Sequence, residues 1–196
     1  MLAVAAATAT ASRVAGGLIV TVPPGWEDAA RACLEEIDAG ASLVPGGDSR
    51  QASIRAALAE VPAGIEAVAV HDAARPFAPP ELFTRVLAGV ADGADAAIPV
   101  VAVTDTVLRV RGGVVAGVEP RDELTLAQTP QAFRTEVLRE AHAKAAASGV
   151  VFTDDASILE WAGFEVRTVP GDPGNVKITT LADLAEADRR MGGGGA

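Results

Sequence analysis

Tyrosine is missing from this 196-residue chain, aromatic residues make up only 4 % of it, and it has a single cysteine. So few flat side chains argue against a platform on which single-stranded nucleic acid stacks its bases. One cysteine cannot close an internal disulfide; Cys33 falls in the helical pattern WEDAARACLEEID and reads as a small core residue, which fits a reducing cytoplasm. Positive charge is also scarce. Against 26 Asp and Glu stand 16 Lys and Arg, for a formal net charge of −10, which opposes non-specific attachment to nucleic acid or to an anionic membrane. A small anionic ligand stays admissible, because a few cations can cluster inside an acidic protein. No apolar run has the length of a bilayer span. The opening MLAVAAATATASRV has no basic leader and is rich in alanine and threonine, so it reads as a first helix rather than a targeting segment. The closing GGGGA, residues 192–196, reads as a disordered tail. Walker, G-x-G-x-x-G and G-x-S-x-G motifs are absent, as is any Cys/His set with metal-ligand spacing.

What remains is an alternation of short β-branched runs and helical patterns. GLIVTV, Gly17 to Val22, is closed by Pro-Pro-Gly and followed by a helix from Trp26 to about Asp38. Ser42-Leu43-Val44 ends in Pro-Gly-Gly, after which Asp48 or Ser49 can cap a helix with Ile54, Ala57 and Leu58 on its apolar face. A strand over Ala67–Val70, a helix opened by Pro79-Pro80, and a strand over Ala94–Val101 continue the pattern. Helices over Arg134–Ala147 and Asp154–Trp161, a strand over Glu165–Val169 and a helix from about Leu181 complete it. Strand and helix in turn predict an α/β fold: a Rossmann-like, mostly parallel sheet with helices on both faces, in one domain over residues 1–191. Between Val101 and the Arg134 helix the rhythm breaks. Two β-patterned runs flank Arg111-Gly112-Gly113, a hairpin signature. They predict an inserted β-arm at about residues 102–127, either an edge hairpin or a reach toward another subunit.

Ligands in such sheets sit beyond the carboxyl ends of the strands, and four stretches there mix functional groups with glycine or proline. PGGDSRQAS (Pro45–Ser53) brings backbone close at Gly46-Gly47 and hydroxyls near a helix N-terminus; it is either an acceptor site or a plain turn and cap. HDAARP (His71–Pro76) ends a strand in Asp72 and Arg75 with only methyl groups between. Asp72 can accept hydroxyls and Arg75 can fork a phosphate, or the two can simply pair with each other. His71 reads as a packed histidine. RDELTLAQTPQAF (Arg121–Phe133) and GDPGNVKITT (Gly171–Thr180) carry the isolated cations Arg121 and Lys177, suited to charge that grows as a bond to phosphorus forms. The acids of TDDA, Asp154 and Asp155, read as a helix N-cap favoured by the dipole.

In this order, VPGGDSRQASI, VHDAARPF, PVVAVTDTV, AQTPQAF, TDDAS and GDPGNVKITTLADL resemble the 2-C-methyl-D-erythritol 4-phosphate cytidylyltransferases of the non-mevalonate isoprenoid pathway, from Leu18 to about Ala187. The resemblance implies a nucleotidyltransferase in which the phosphate of the sugar alcohol attacks the α-phosphorus of CTP and pyrophosphate leaves. It implies that Gly47, Asp48 and Ser53 recognise cytosine and that Ala73 lets the ribose approach. Arg75, Thr129, Asp72 and Lys177 are then expected around the sugar phosphate and the reacting phosphates. Thr106 and Arg121 are expected on an arm that crosses to a partner in a homodimer, with Arg121 and Lys177 aligning the attacking phosphate. Mg²⁺ is expected to be held mainly by the nucleotide's own phosphates, with no dedicated metal site. A ribitol-phosphate cytidylyltransferase shares much of this pattern, although Ala73-Ala74 leans toward the erythritol enzyme; a non-catalytic dimerising paralogue is the third reading.

The resemblance departs at the amino end. The family's first strand and its glycine-rich loop A-A-G-x-G-x-R, which wraps the CTP triphosphate, have no counterpart before Leu18; Ala3 to Val14 resemble the helix that follows that loop. Either the start is misassigned or trimmed, which the intact remaining motifs favour, or the chain is a shortened paralogue. The 196 residues as written are expected to leave a gap in the sheet and to transfer the cytidylyl group poorly.

Overall fold

Phe133 and Ala132 are neighbours in the chain and both are wholly buried, yet they belong to different cores. The reason is the two-residue period of a strand, which sends successive side chains to opposite faces of a sheet. The structure, a computed structural model, describes residues 1–14, 16–37 and 39–192. Its elements run α1 (Leu2–Ala11), β1 (Leu18–Val22), α2 (Glu27–Glu35), β2 (Ala41–Pro45), α3 (Arg50–Glu60), β3 (Ala67–Val70), α4 (Pro80–Ala91) and β4 (Ala96–Ala102). They continue with β5 (Val107–Arg111), β6 (Val114–Glu119), β7 (Thr125–Ala127), β8 (Gln131–Arg134), α5 (Thr135–Ser148), α6 (Asp155–Trp161), β9 (Val166–Pro170) and α7 (Leu181–Gly192). No helix among the described residues is long and apolar enough to cross a membrane.

The larger sheet has the order β3-β8-β4-β7, with β9 also on β4. On one face Ala96 of β4 and Phe133 of β8 pack against Leu138, Ala141 and Ala145 of α5, Ile158 and Leu159 of α6 and Leu58 of α3. On the other, Ala97 and Ala132 meet Val86 and Val90 of α4. The expected helices on both faces are therefore present. Parallel pairing joins β1 to β2 and β4 to β9. β8 lies antiparallel between β3 and β4, so pairing within the larger sheet is mixed although β3, β4 and β9 run the same way. Neither β7 nor β8 is visible as a strand in the sequence. Each is four residues or fewer, too short to show a period; β7 is created by pairing with β4, and β8 by pairing with β3 on one side and β4 on the other, all distant in the chain.

β1 and β2 form a two-stranded sheet of their own, detached from the ladder that begins at β3. A break of this kind is the gap that the sequence reading expects in the sheet. α2, expected to reach about Asp38, closes at Glu35, and Asp38 itself lies outside the described residues. The arm is the expected hairpin, β5 against β6. Its turn places Gly112 and Gly113 at φ 56° and 80°, the left-handed pair that a two-residue I′ hairpin loop demands. Val110, Val114, Val115 and Val118 of the arm are exposed. Gly192 closes α7; the rest of the expected tail, residues 193–196, lies outside the described residues.

Candidate active site

Three segments arrive at one rim because the sheet's directions bring them there. β3 ends at Val70 and delivers Asp72 and Arg75. The β7–β8 junction delivers Gln128 and Thr129, and the loop after β9 delivers Lys177. With Arg50 from the first turn of α3 and Asp154 from the cap of α6, they line a cavity of about 120 Å³. That is smaller than the roughly 300–1,000 Å³ of pockets that engulf a drug-sized ligand. It suits one phosphate-sized head group, with the rest of a guest lying along the open rim. Three cations, Arg50, Arg75 and Lys177, face two carboxylates, Asp72 and Asp154, so the cavity is locally positive inside a chain of net charge −10.

The loop carrying Lys177 is clamped from below. Gln128 donates from Nε2 to the carbonyls of Asp172 (2.8 Å) and Asn175 (3.2 Å), and its Oε1 accepts from the Asp172 amide at 3.0 Å. The wholly buried Asn175 donates from Nδ2 to the Thr129 carbonyl at 2.8 Å. Arg75 donates to the carbonyls of Asn175 (2.8 Å) and Ala127 (3.2 Å). Further along, the Ile178 amide donates to the Ala74 carbonyl at 2.8 Å. Lys177 is thereby held beside Asp72, Nζ to Oδ2 2.9 Å. Arg50 approaches the other oxygen of Asp72 at 3.6 Å. The simple Asp72–Arg75 pair considered from sequence does not form; Asp72 is paired with Lys177 and Arg50.

These neighbours set the charge states. Burial disfavours the Asp72 carboxylate, but the Lys177 hydrogen bond and the fields of Arg50, Lys177 and Arg75 outweigh it and hold Asp72 below the ordinary 3.8. Burial likewise works against the Arg50 cation, and Asp155, Asp72 and Asp154 more than compensate, raising its pKa. For Arg75 burial wins over Asp72 and lowers the pKa from its ordinary value; a guanidinium nevertheless stays charged. His71 is the packed histidine expected. Its ring stands edge-on to Phe83 at 5.1 Å, and burial lowers its pKa from 6.5 to about 4. Nε2 faces the Arg75 carbonyl at 3.1 Å and must carry the proton; Nδ1 then accepts from Thr129 Oγ1 at 2.9 Å. That hydroxyl accepts in turn from the Asp72 amide at 3.0 Å, so neutral His71 fixes the backbone of the strand end.

Of the residues singled out from sequence, Asp72, Arg75, Thr129 and Lys177 line the one cavity. Gly47, Asp48 and Ser53 are not among the residues lining it; they lie in the loop before α3 and its first turn, the helix whose first residue is Arg50. The Gly47 amide donates to Ser53 Oγ at 3.1 Å, and that hydroxyl donates to the Ser49 carbonyl at 3.0 Å. A Cβ on Gly47 would stand 2.4 Å from that of Ala52, so only glycine fits. Ser49 caps α3, accepting from the Ala52 amide at 3.1 Å. Ala73 is exposed next to Asp72. Thr106 and Arg121 are exposed on and just beyond the arm, outside the cavity lining; Arg121 donates to the Thr104 carbonyl at 2.9 Å. Asp154 is the N-cap expected, accepting from the Ser157 amide at 2.9 Å. Asp155 lies in the first turn of α6, as its reading has it, and is in addition wholly buried between His142 and Arg50. Arg50, Gln128, Asn175 and the His142–Asp155 pair are contributions that the residue pattern alone did not single out. Arg50 stands in the middle of one of the four stretches, and a cation in the first turn of a helix, against the dipole, was the available signal.

The model of the family described as IspD: 2-C-methyl-D-erythritol 4-phosphate cytidylyltransferase matches residues 1–192. A bifunctional enzyme IspD/IspF of Nitratidesulfovibrio vulgaris is 42 % identical over 191 residues, 93 % of this chain and 48 % of that protein. One of Sinorhizobium medicae is 48 % identical over 153 residues, 76 % of this chain and 38 % of that protein. The chain thus spans less than half the length of these curated relatives. Among solved structures, a 2-C-methyl-D-erythritol 4-phosphate cytidylyltransferase from Thermus thermophilus aligns with a TM-score of 0.82 at 37 % identity, covering 96 % of this chain and 88 % of that one. A 4-diphosphocytidyl-2C-methyl-D-erythritol synthase from Anaerococcus prevotii aligns with a TM-score of 0.89 at 28 % identity, over 97 % and 88 %.

Proposed function

Because the chain belongs to the 2-C-methyl-D-erythritol 4-phosphate cytidylyltransferase family, we propose that it transfers CMP from CTP to 2-C-methyl-D-erythritol 4-phosphate with release of pyrophosphate. The observation that carries the reading is the meeting of Asp72, Arg75, Thr129 and Lys177, from three separate segments, around one cation-rich, phosphate-sized cavity. Transfer of this kind asks a protein for alignment and for positive charge where two phosphorylated molecules meet. Lys177 and Arg75 supply charge at the cavity. Asp72, charged at neutral pH, accepts from Lys177 and is placed to accept from a hydroxyl of the sugar alcohol. Gly47, Asp48 and Ser53 at the head of α3 take the cytosine, and Ala73 leaves room for the ribose.

Mg²⁺ enters this reading as part of the nucleotide substrate. Among the described residues no group of three or more His, Cys, Asp or Glu is arranged to hold a metal, and the cavity's carboxylates are engaged, Asp72 by Lys177 and Arg50, Asp154 by Ser157. The metal's contribution is to neutralise phosphate charge and stabilise the departing pyrophosphate.

Thr106 and Arg121 act, in this reading, in the cavity of a second copy. The exposed valines of β5 and β6 support a homodimer in which the arm is covered by the partner. Turnover of CTP with 2-C-methyl-D-erythritol 4-phosphate and, in parallel, with ribitol 5-phosphate tests the function. The cytidylyl methylerythritol product should dominate. Preferred transfer to ribitol phosphate, or no cytidylyl product with either, would contradict it.

A further inference from the structure

Two ionisable groups are spent in the core without touching the cavity: Asp155 at 0 % exposure and His142 at 1 %. His142 Nε2 lies 2.8 Å from Asp155 Oδ1, and the other oxygen, Oδ2, lies 2.7 Å from Arg50 Nη1. Arg50 in turn approaches Asp72 Oδ1 at 3.6 Å, while Lys177 holds Asp72 Oδ2 at 2.9 Å. A continuous line of paired groups therefore runs from the middle of α5, through the first turns of α6 and α3, to the carboxylate at the end of β3.

Stability is a poor reason for this line. Buried ion pairs recover their desolvation cost only in part, and apolar residues of similar size often serve as well or better. Arg50 is also the first residue of α3, where a cation opposes the helix dipole. His142 Nδ1 is buried without a hydrogen-bond partner, and Asp155 Oδ2 meets Arg50 as an ion pair at 2.7 Å without hydrogen-bond alignment, a further expense. What the arrangement achieves is geometric. A guanidinium presents its N–H groups in a rigid fork, so fixing one side on a buried carboxylate fixes where the other side points.

We propose that Arg50 is a positioning residue of this site, anchored by the buried Asp155–His142 pair, and that with Lys177 it fixes both carboxylate oxygens of Asp72. Its effect on turnover rests on the transfer reading above; its effect on Asp72 does not. Without Arg50, Asp72 keeps Lys177 but loses the contact that sets the rotation of its carboxylate, and the Lys177 ammonium follows it. The cytosine-side glycines and the phosphate cavity are then tied together through α3, since Gly47, Ser53 and Arg50 belong to the same helix start.

The test is an NMR titration of the Asp72 carboxyl in the native chain and in Arg50→Gln, Arg50→Lys and Asp155→Asn, alongside steady-state turnover. Removing the fork should raise the apparent Asp72 pKa toward the ordinary carboxylate value, and Asp155→Asn should reproduce the shift. Arg50→Lys should restore part of it. The double variant should go no further than either single one, because the two act through one contact. Where transfer is measurable, kcat should drop about 10- to 100-fold, the scale of a small misplacement of reacting groups, with KM for CTP changed much less. An unchanged Asp72 titration in folded Arg50→Gln, or losses that add in the double variant, overturns the proposal. Should Asp155→Asn fail to fold, Arg50→Gln, which alters a one-third exposed side chain, still decides it. A native chain that makes no product counts against the transfer reading alone, because the titration is read without substrate.

Discussion

At the scale of single residues, His71 gives the sharpest pH signature. The folded protein keeps it neutral, with a pKa lowered from 6.5 to about 4, while the unfolded chain takes up a proton near 6.5. Between those values the unfolded state binds more protons, so stability is full above pH 6.5 and is lost as the pH falls toward 4. The loss is on the order of 3 kcal/mol if His71 alone contributes. Denaturant unfolding at a series of pH values should show it, and His71→Gln should flatten that limb while Asp72 retains its own contribution at still lower pH. Sequence could place His71 at a strand end and read it as packed, because an alternating apolar run stopped there. It could not reveal that the imidazole fixes the Asp72 amide through Thr129, a residue 58 positions away. Arg50 shows the same limit. Its partner Asp155, and His142 behind that, sit on helices that no local pattern joins to α3, and Asp155 looked like an ordinary acid of a first turn.

At the scale of elements, the longer helices and most strands were legible from apolar spacing and from the Pro, Gly and Ser that bound them. Ala67–Val70 is legible to the residue; the cap of α3 is legible to Asp48 or Ser49 and that of α6 to the acids Asp154 and Asp155, and the structure selects Ser49 and Asp154. The short strands β7 and β8 were not, because three or four residues are too few to show a period and their partners, β4 for β7 and β3 with β4 for β8, lie far off in the chain. The detached pair β1–β2 has a dynamic consequence. Two strands alone are marginal in water, and these rely on packing against α2 and α3 rather than on the main ladder. Hydrogen exchange followed by mass spectrometry should find their amides opening more readily than those of β4 and β8. Equal protection in the two sheets would mean that the gap costs nothing.

For the whole molecule, the proposed transfer requires an acidic chain of net charge −10 to attract two polyanions to one rim, and the cations gathered at the cavity, Arg50, Arg75 and Lys177, would meet that demand locally. The arm adds a second global feature, a ribbon with Val114 and Val118 exposed, which a partner in the proposed homodimer would cover. The paired change Val114→Asp and Val118→Asp should convert a dimer to a monomer in light scattering and lower transfer together with it, because Thr106 and Arg121 would no longer reach a neighbouring cavity. A chain that is monomeric before the change would contradict the proposed assembly. In the proposed transfer, segments distant in sequence hold the reacting phosphates in the cavity of Asp72, Arg75 and Lys177. Its most direct test is product formation from CTP, Mg²⁺ and 2-C-methyl-D-erythritol 4-phosphate by the native chain and by Lys177→Met, followed by mass spectrometry. The native chain should form the cytidylyl product, and the variant should lose roughly 100- to 1,000-fold in kcat, the cost of removing one preorganised transition-state donor. Equal rates for the two, in folded protein, would contradict the account.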